Sequence, residues 1–269
     1  MAINADRFSF NNKHSDTDFS LVICGIGNEL SDTTSGGSKF EINNYYSPIS
    51  KCWKRIGYKY SEPLEFEFDV VKNTCNGADE SFSVNDIEQI ERWLMRIDED
   101  KPLILFKDGY EQITFYGTFV SVDIKSVGGN DIGLSLKFQS NAPFGYGSKM
   151  MYSTSLNNKT VIIEDTSTEI GEKCADLEIK CNSDTNVIIT NSFNNETMEI
   201  NNCVAGETIV IDGKTKIITS SVETHNIYDD FNFCYLHIGN SDTTNQNTIV
   251  VQGDAYILIT HQPIRKVGV

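Results

Sequence analysis

The sequence predicts a mainly β chain with one amphipathic helix, divided near its middle into two β-rich domains. Three observations predict it. Leu64, Phe66, Phe68 and Val70 alternate with Glu65, Glu67 and Asp69, and Ile132, Leu134, Leu136 and Phe138 alternate with Gly133, Ser135, Lys137 and Gln139. A period of two puts one set on each face of a strand. Val84, Ile87, Ile90, Leu94 and Ile97 fall on one stripe at helical spacing. After residue 160, short apolar segments recur at roughly 8–12-residue intervals with turn residues between them, as in a sandwich or barrel.

The elements follow in order. Phe8 and Phe10 precede the polar stretch 11–16, and Phe19, Leu21 and Ile23 follow it, which predicts a hairpin-like opening. Residues 25–38, GIGNELSDTTSGGS, have no periodicity and predict an exposed loop or arm. The strand over 64–70 carries an acidic stripe, read as a solvated sheet face with a charged contact surface as the alternative. The helix is placed at 84–98. Ser83 and Asp86 give it a capping-box start, Trp93 borders its apolar stripe, and Lys101-Pro102 closes it. Strands follow at 103–107, 112–124 and 132–139, the last two joined by a turn at Gly128-Gly129-Asn130-Asp131.

Pro143, Gly145, Gly147 and Asn157-Asn158 break the pattern and set the boundary, giving domains 1–147 and 148–269. The second domain reads as apolar segments at 160–163, 177–181, 187–190, 197–200, 208–211, 216–219, 233–238, 248–251 and 255–260, with no helix. An antiparallel β-sandwich of about eight strands satisfies that pattern.

Composition narrows function. The 269 residues carry 22 basic and 38 acidic side chains, a net charge of −16, with −7 in residues 1–150 and −9 in 151–269. Such a surface opposes phosphate wrapping and docking on anionic lipid. The seven cysteines, Cys24, Cys52, Cys75, Cys174, Cys181, Cys203 and Cys234, show no CxxC spacing, so neither a zinc site nor a disulfide framework is expected, and free thiols are. The first residues lack an apolar signal region and no run approaches the ~20 residues of a membrane span, so a soluble chain made in a reducing cytosol is expected.

No catalytic residue, cofactor-binding residue or metal ligand emerges. The four histidines, His14, His225, His237 and His261, have no paired spacing, and no GxSxG, GxxxxGK[ST], GxGxxG or EF-hand pattern occurs. His237 reads as a strand side chain, and His225 as a loop residue near Asp229-Asp230. Tyr228, Phe231, Phe233, Tyr235 and Tyr256 offer a sugar-stacking platform on the second domain, against the simpler reading of core and edge packing.

The opening FSFNNKHSDTDFSLVICGI resembles the start of siphovirus distal tail proteins, the baseplate or tail-tip hub components of long-tailed phages. Phe10, Asn11, Asn12, Lys13, Asp18, Phe19 and Leu21 carry the likeness, with Ser20 where the family often has Gly. Trp93-Leu94, Leu103-Ile104-Leu105 and Phe115–Val122 resemble the family's helix and following strands, and SNAPFGYG at 140–147 its exit from the first domain. The family's frequent Cys before that exit is absent. Gly206–Asp212 and Asn247–Arg265 are similar to its C-terminal sandwich. Ser35-Gly36-Gly37-Ser38 departs from the family's Pro-Gly-Arg-Asp-Gly-like turn.

The resemblance implies a tail-tube-like β-barrel or sandwich with an α-helix, then a galectin-like antiparallel β-sandwich. It implies a non-enzymatic virion protein at the phage tail tip, assembled in the host cytoplasm as a hexamer ring. The implied partners are other copies, the tail tube protein, the tail-tip hub or tail-associated protein, and receptor-binding proteins. DNA would pass the lumen without sequence-specific binding, and no membrane insertion is implied. The competing reading is a carbohydrate-binding protein acting through the second domain, with a polysaccharide-degrading enzyme third.

Overall fold

The computed structural model describes residues 5–24, 38–73, 81–96, 98–106, 108–109, 111–154 and 159–266. Two compact units divide the chain: Met1–Gly147 with Arg265–Val269, and Ser148–Ile264.

In the first unit the elements are β1 (Arg7–Phe10), β2 (Lys13–His14), α1 (Ser15–Phe19), β3 (Leu21–Cys24), β4 (Phe40–Ser47), β5 (Cys52–Tyr60), β6 (Glu65–Lys72), α2 (Val84–Leu94), β7 (Lys101–Phe106), β8 (Thr114–Val127), β9 (Asn130–Ser140) and β10 (Gly145–Tyr146). An antiparallel sheet runs β2-β1-β7-β8-β9-β6-β3, with β10 beside β8 at Tyr146↔Thr114. Ile23 N donates to Asp6 O at 3.0 Å, so the β3 end of the sheet curls back to the chain just before β1, as in a barrel. The inward set on β6 and β9, Phe66, Val70, Leu134, Leu136 and Phe138, is fully buried. The acidic set on β6 faces outward beside lysines of neighbouring strands, with Glu65 3.2 Å from Lys137 and Asp69 bonded to Lys125. It is an ion-paired, solvated face.

Helix α2 starts as its sequence requires. Ser83 Oγ accepts from Asp86 N at 3.2 Å, and Asp86 Oδ2 accepts from Ser83 N at 2.9 Å. Ile87, Ile90, Trp93 and Leu94 are buried, each contributing on the order of 1.5–3 kcal/mol by leaving water. Trp93 stacks on Phe19 at 4.1 Å and Phe8 at 5.4 Å, and its Nε1 donates to Phe10 O at 2.9 Å.

The second unit has β11 (Met150–Ser153), β12 (Thr160–Glu164), β13 (Gly171–Cys174), β14 (Asp176–Cys181), β15 (Thr185–Asn191), β16 (Thr197–Cys203), β17 (Thr208–Asp212), β18 (Ile217–Ser220), α3 (Ile227–Asp230), β19 (His237–Asn240), β20 (Gln246–Gln252) and β21 (Ala255–His261). A five-stranded sheet, β11-β21-β14-β17-β18, and a four-stranded sheet, β12-β20-β15-β16, share one aliphatic core that includes Ile163, Ile179, Ile189, Ile209, Ile249 and Ile257. β13 and β19 form a separate ribbon. Burial alternates strictly along β12, β14 and β17, the signature of strands with one face inside.

Several expectations change. The opening hairpin is tighter than expected: Asn11 and Asn12, at φ 50° and 62°, turn β1 into β2, and Phe19 lies on a helical turn rather than in a strand. The helix ends at Leu94, not at residue 98. Met95 caps it at φ −99° and ψ 5°, and Asp98 and Glu99 instead hold Lys101 at the start of β7; Ile97 lies outside the described residues. The arm at 25–38 also lies outside them, apart from Ser38. A short helix, α3, stands where none was expected. The segment at 233–238 is a strand only from His237, because Phe233 at φ 56° cannot continue a ladder. The second unit stops at Ile264: Arg265 Nε donates to both Glu111 carboxylate oxygens at 3.1 and 2.9 Å, and Lys266 lies 5.7 Å from the Tyr58 ring.

Candidate interaction surface

The hairpin β4–β5 has no counterpart among the sequence expectations. Its strands pair from Phe40↔Tyr60 to Ser47↔Cys52, with a bulge at Asn43/Asn44, and among the described residues they pair with no other strand. Apolar side chains stand on both faces: Phe40, Ile42, Tyr45, Tyr46, Trp53, Ile56 and Tyr58 are all exposed, and Ile49 at the tip is 97% exposed. Tyr46 meets Trp53 at 5.4 Å and Phe40 meets Tyr58 at 5.7 Å, so rings line the hairpin without closing a core. A two-stranded hairpin in water is marginal, and monomers rarely leave such apolar area uncovered.

The charge of this hairpin also sets it apart. Lys39, Lys51, Lys54, Arg55 and Lys59 against Glu41 and Glu62 give the segment 39–62 a net charge of +3, leaving −19 on the rest of the chain. A basic, aromatic projection on an acidic protein complements that protein's own surface.

The second unit encloses its polar groups instead. Glu207 is fully buried where β17 begins; its carboxylate accepts from Ser220 Oγ, from His225 Nδ1 at 2.6 Å and from Val204 N at 2.9 Å. His225 Nε2 reaches Asp230 on α3 at 3.2 Å. Burial pushes Glu207 up, but these hydrogen bonds outweigh it and hold the carboxyl below its usual range. Burial likewise pulls His225 down, while Glu207 and Asp230 overcome it and raise the imidazole above its ordinary value. The serine here bonds the carboxylate and not the imidazole, so no base takes its proton as hydrolase triads require. The group is an ion-paired clamp that ties α3 to the sandwich.

His261 on β21 is buried against Asp165 at 3.0 Å. Asn247 and Asn191 bond one another at 3.0 Å inside the core. His14 is exposed on β2. His237, at the start of β19, lies 3.2 Å from Glu196. The five aromatics do not assemble into one platform. Phe231 is buried in the core with Phe233 and Tyr235 against it at 5.3 and 5.2 Å, while Tyr256 stands on β21 opposite Lys180.

The described residues thus form a curled sheet with a helix packed on it, a β-sandwich and a displayed aromatic hairpin. Residues 3–142 match the family model described as the phage tail protein N-terminal domain, and residues 144–261 the one described as the phage tail C-terminal domain. The chain belongs to this phage tail protein family and is a component of the virion. Its fold is similar to that of the SPP1 Dit protein, described as a paradigm of the hub adsorption apparatus in phages infecting Gram-positive bacteria: TM-score 0.63 and 12% identity, covering 95% of this chain and 98% of that one. A chain of the phage p2 baseplate in its activated conformation with strontium is similar at TM-score 0.50 and 12% identity, covering 93% and 98%. The calcium form gives 0.50 and 11%, covering 91% and 97%. No curated protein matches the chain.

Proposed function

We propose that the chain forms a closed ring at the phage tail tip, joining the tail tube to the tail-tip hub and offering its second unit as a platform for receptor-binding proteins. The hairpin β4–β5 carries the reading. A head-to-tail contact repeats until its rotation closes, and a basic aromatic projection laid on the acidic flank of the next copy is such a contact. The number six and the tube and hub partners come from the likeness to distal tail proteins. The reaction-free role fits a buried ion clamp that has no activated nucleophile.

Mass photometry of the full chain tests this, with and without the hub protein of the same phage. Wild type is expected to populate a single large oligomer, and Trp53→Ala with Ile56→Ala to shift it to monomer. A protein that stays monomeric at all salt concentrations, hub present, overturns the ring and leaves carbohydrate binding by Tyr228 and Phe233, which are 54% and 57% exposed, as the reading to pursue.

A further inference from the structure

A side-chain cluster on the second unit is explained by neither its core nor the ring reading. Glu172 stands on β13, His237 opens β19, and Glu196 lies in the turn entering β16. Glu172 faces Gly239 across the ribbon and Cys174 faces His237, so Glu172 and His237 share one face as diagonal neighbours. Gly239 lets them lean together: a Cβ there would lie 2.9 Å from Glu172 Cγ and 2.4 Å from the Phe193 ring. Asn195, at φ 57°, turns the chain so that Glu196 rises beside them.

The outcome is one imidazole nitrogen and two carboxylate oxygens, all within 4.8 Å of one another. Two ligands of one ion, each held at about 2.1–2.4 Å, stand no farther apart than roughly twice that length, so the three atoms fit a single coordination sphere. Asn194 Nδ2 donates to Glu172 Oε2 at 2.8 Å and to Glu196 Oε2 at 2.9 Å, and His237 Nδ1 lies 3.2 Å from the same Glu196 oxygen. Two carboxylates therefore converge on one neutral amide and one imidazole, at a point where a cation would relieve their repulsion.

We propose that Glu172, Glu196 and His237 form a site for a divalent transition-metal ion of the Mn²⁺ or Zn²⁺ class. The ion clips the β13–β19 ribbon to the turn before β16. The imidazole sets the class, because Ca²⁺ and Mg²⁺ take oxygen shells whereas Mn²⁺ and Zn²⁺ accept mixed nitrogen and oxygen donors. The side chains of His237 and Glu196 are 25% and 49% exposed, so water completes the shell and the ion exchanges. The ion takes the place of the Asn194 amide between the carboxylates and binds the neutral imidazole.

Titrating the full chain with Mn²⁺ and following the free ion by electron paramagnetic resonance tests the site, since thiolates compete poorly for Mn²⁺. One saturable Mn²⁺ per chain is expected, displaced by Zn²⁺ but not by a tenfold excess of Ca²⁺. Glu172→Gln, Glu196→Gln and His237→Gln should each weaken it by at least about tenfold. Glu41→Gln in the hairpin should leave it unchanged. Circular dichroism melts establish that the variants fold. Absence of saturable binding in wild type, binding indifferent to the three substitutions, or equal displacement by Ca²⁺ overturns the proposal.

Discussion

The two units solve the same problem with different materials. The first packs rings: Phe10 on Phe119 at 5.0 Å, Phe66 on Phe115 at 4.6 Å and Phe119 on Phe138 at 5.3 Å, with Trp93 stacked on Phe8 and Phe19. The second packs branched aliphatics in strict alternation and encloses Asp165, Asn191, Glu207, Asn247 and His261 with their partners. Among the described residues, only the first displays a whole hairpin of rings to solvent. The second unit partners its buried ions and amides within itself. The first leaves Trp53, Ile56 and Tyr45 outside, an apolar area of the kind monomers rarely leave uncovered.

The largest effects are expected where rings fill the first core. Phe138→Ala should cost about 3–5 kcal/mol, since a whole ring leaves a cavity among rigid neighbours. Ile211→Val in the second core should cost about 0.5–1.5 kcal/mol. Denaturant unfolding of the full chain measures both. Equal costs would show that the two cores do not differ in how they carry load.

The clamp of the second unit comes next. Glu207→Ala leaves the almost fully buried His225 with Asp230 as its one carboxylate partner and should cost on the order of 3 kcal/mol. The clamp also sets a pH window. The raised pKa of His225 makes its contribution complete below the unfolded value of 6.5, and it is lost as pH rises through the folded one. The lowered pKa of Glu207 makes its contribution complete above 4.5, and it is lost as pH falls through the folded value. The clamp should therefore add most between about pH 4.5 and 6.5. Thermal unfolding against pH should show both limbs in wild type and flatter ones in Glu207→Gln; unchanged limbs would assign the pH dependence to other groups.

The sequence is legible where one face of a strand is wet and the other dry. Leu177 and Ile179 on β14, or Ile209 and Ile211 on β17, announce their strands by period two alone. Ser83 and Asp86 announce the start of α2, and Gly128-Gly129 the turn from β8 to β9, where both glycines take positive φ. The hairpin β4–β5 is not legible in the sequence because it is apolar on both faces, and its bulge at Asn43/Asn44 breaks what alternation remains. The clamp and the Glu172–Glu196–His237 cluster are hidden for another reason. His225 meets Glu207 only after the chain folds back from β18, and Glu172, Glu196 and His237 come from three separate stretches, so no spacing along the chain relates them.

A smaller effect separates local from global contributions within the first unit. Ser83→Ala removes the cap of α2 and should cost about 1 kcal/mol. Asp86, held down to about 2 by Lys72 and then by Ser83 N, keeps its 2.8 Å contact with Lys72 on β6 in that variant, so the helix should stay docked. A cost near that of Phe138→Ala would mean that the cap organises the core and not merely one helical turn.

The smallest effect on stability is expected where the largest effect on assembly lies. In the isolated chain Trp53 is 69% exposed and Ile56 73%, so little apolar area is lost from a core when either becomes alanine. Unfolding of dilute monomer should then move by no more than about 0.5 kcal/mol for Trp53→Ala or Ile56→Ala. If the same side chains lie at the centre of a contact between copies, each should weaken association by about 2 kcal/mol or more, because buried aromatics dominate interfaces. The two measurements, melting at high dilution and mass photometry at rising concentration, must diverge for these positions and coincide for Phe138→Ala. Should Trp53→Ala instead destabilise the monomer by several kcal/mol, the hairpin belongs to the first unit's own packing, and the contrast between a displayed hairpin and an enclosed sandwich core fails.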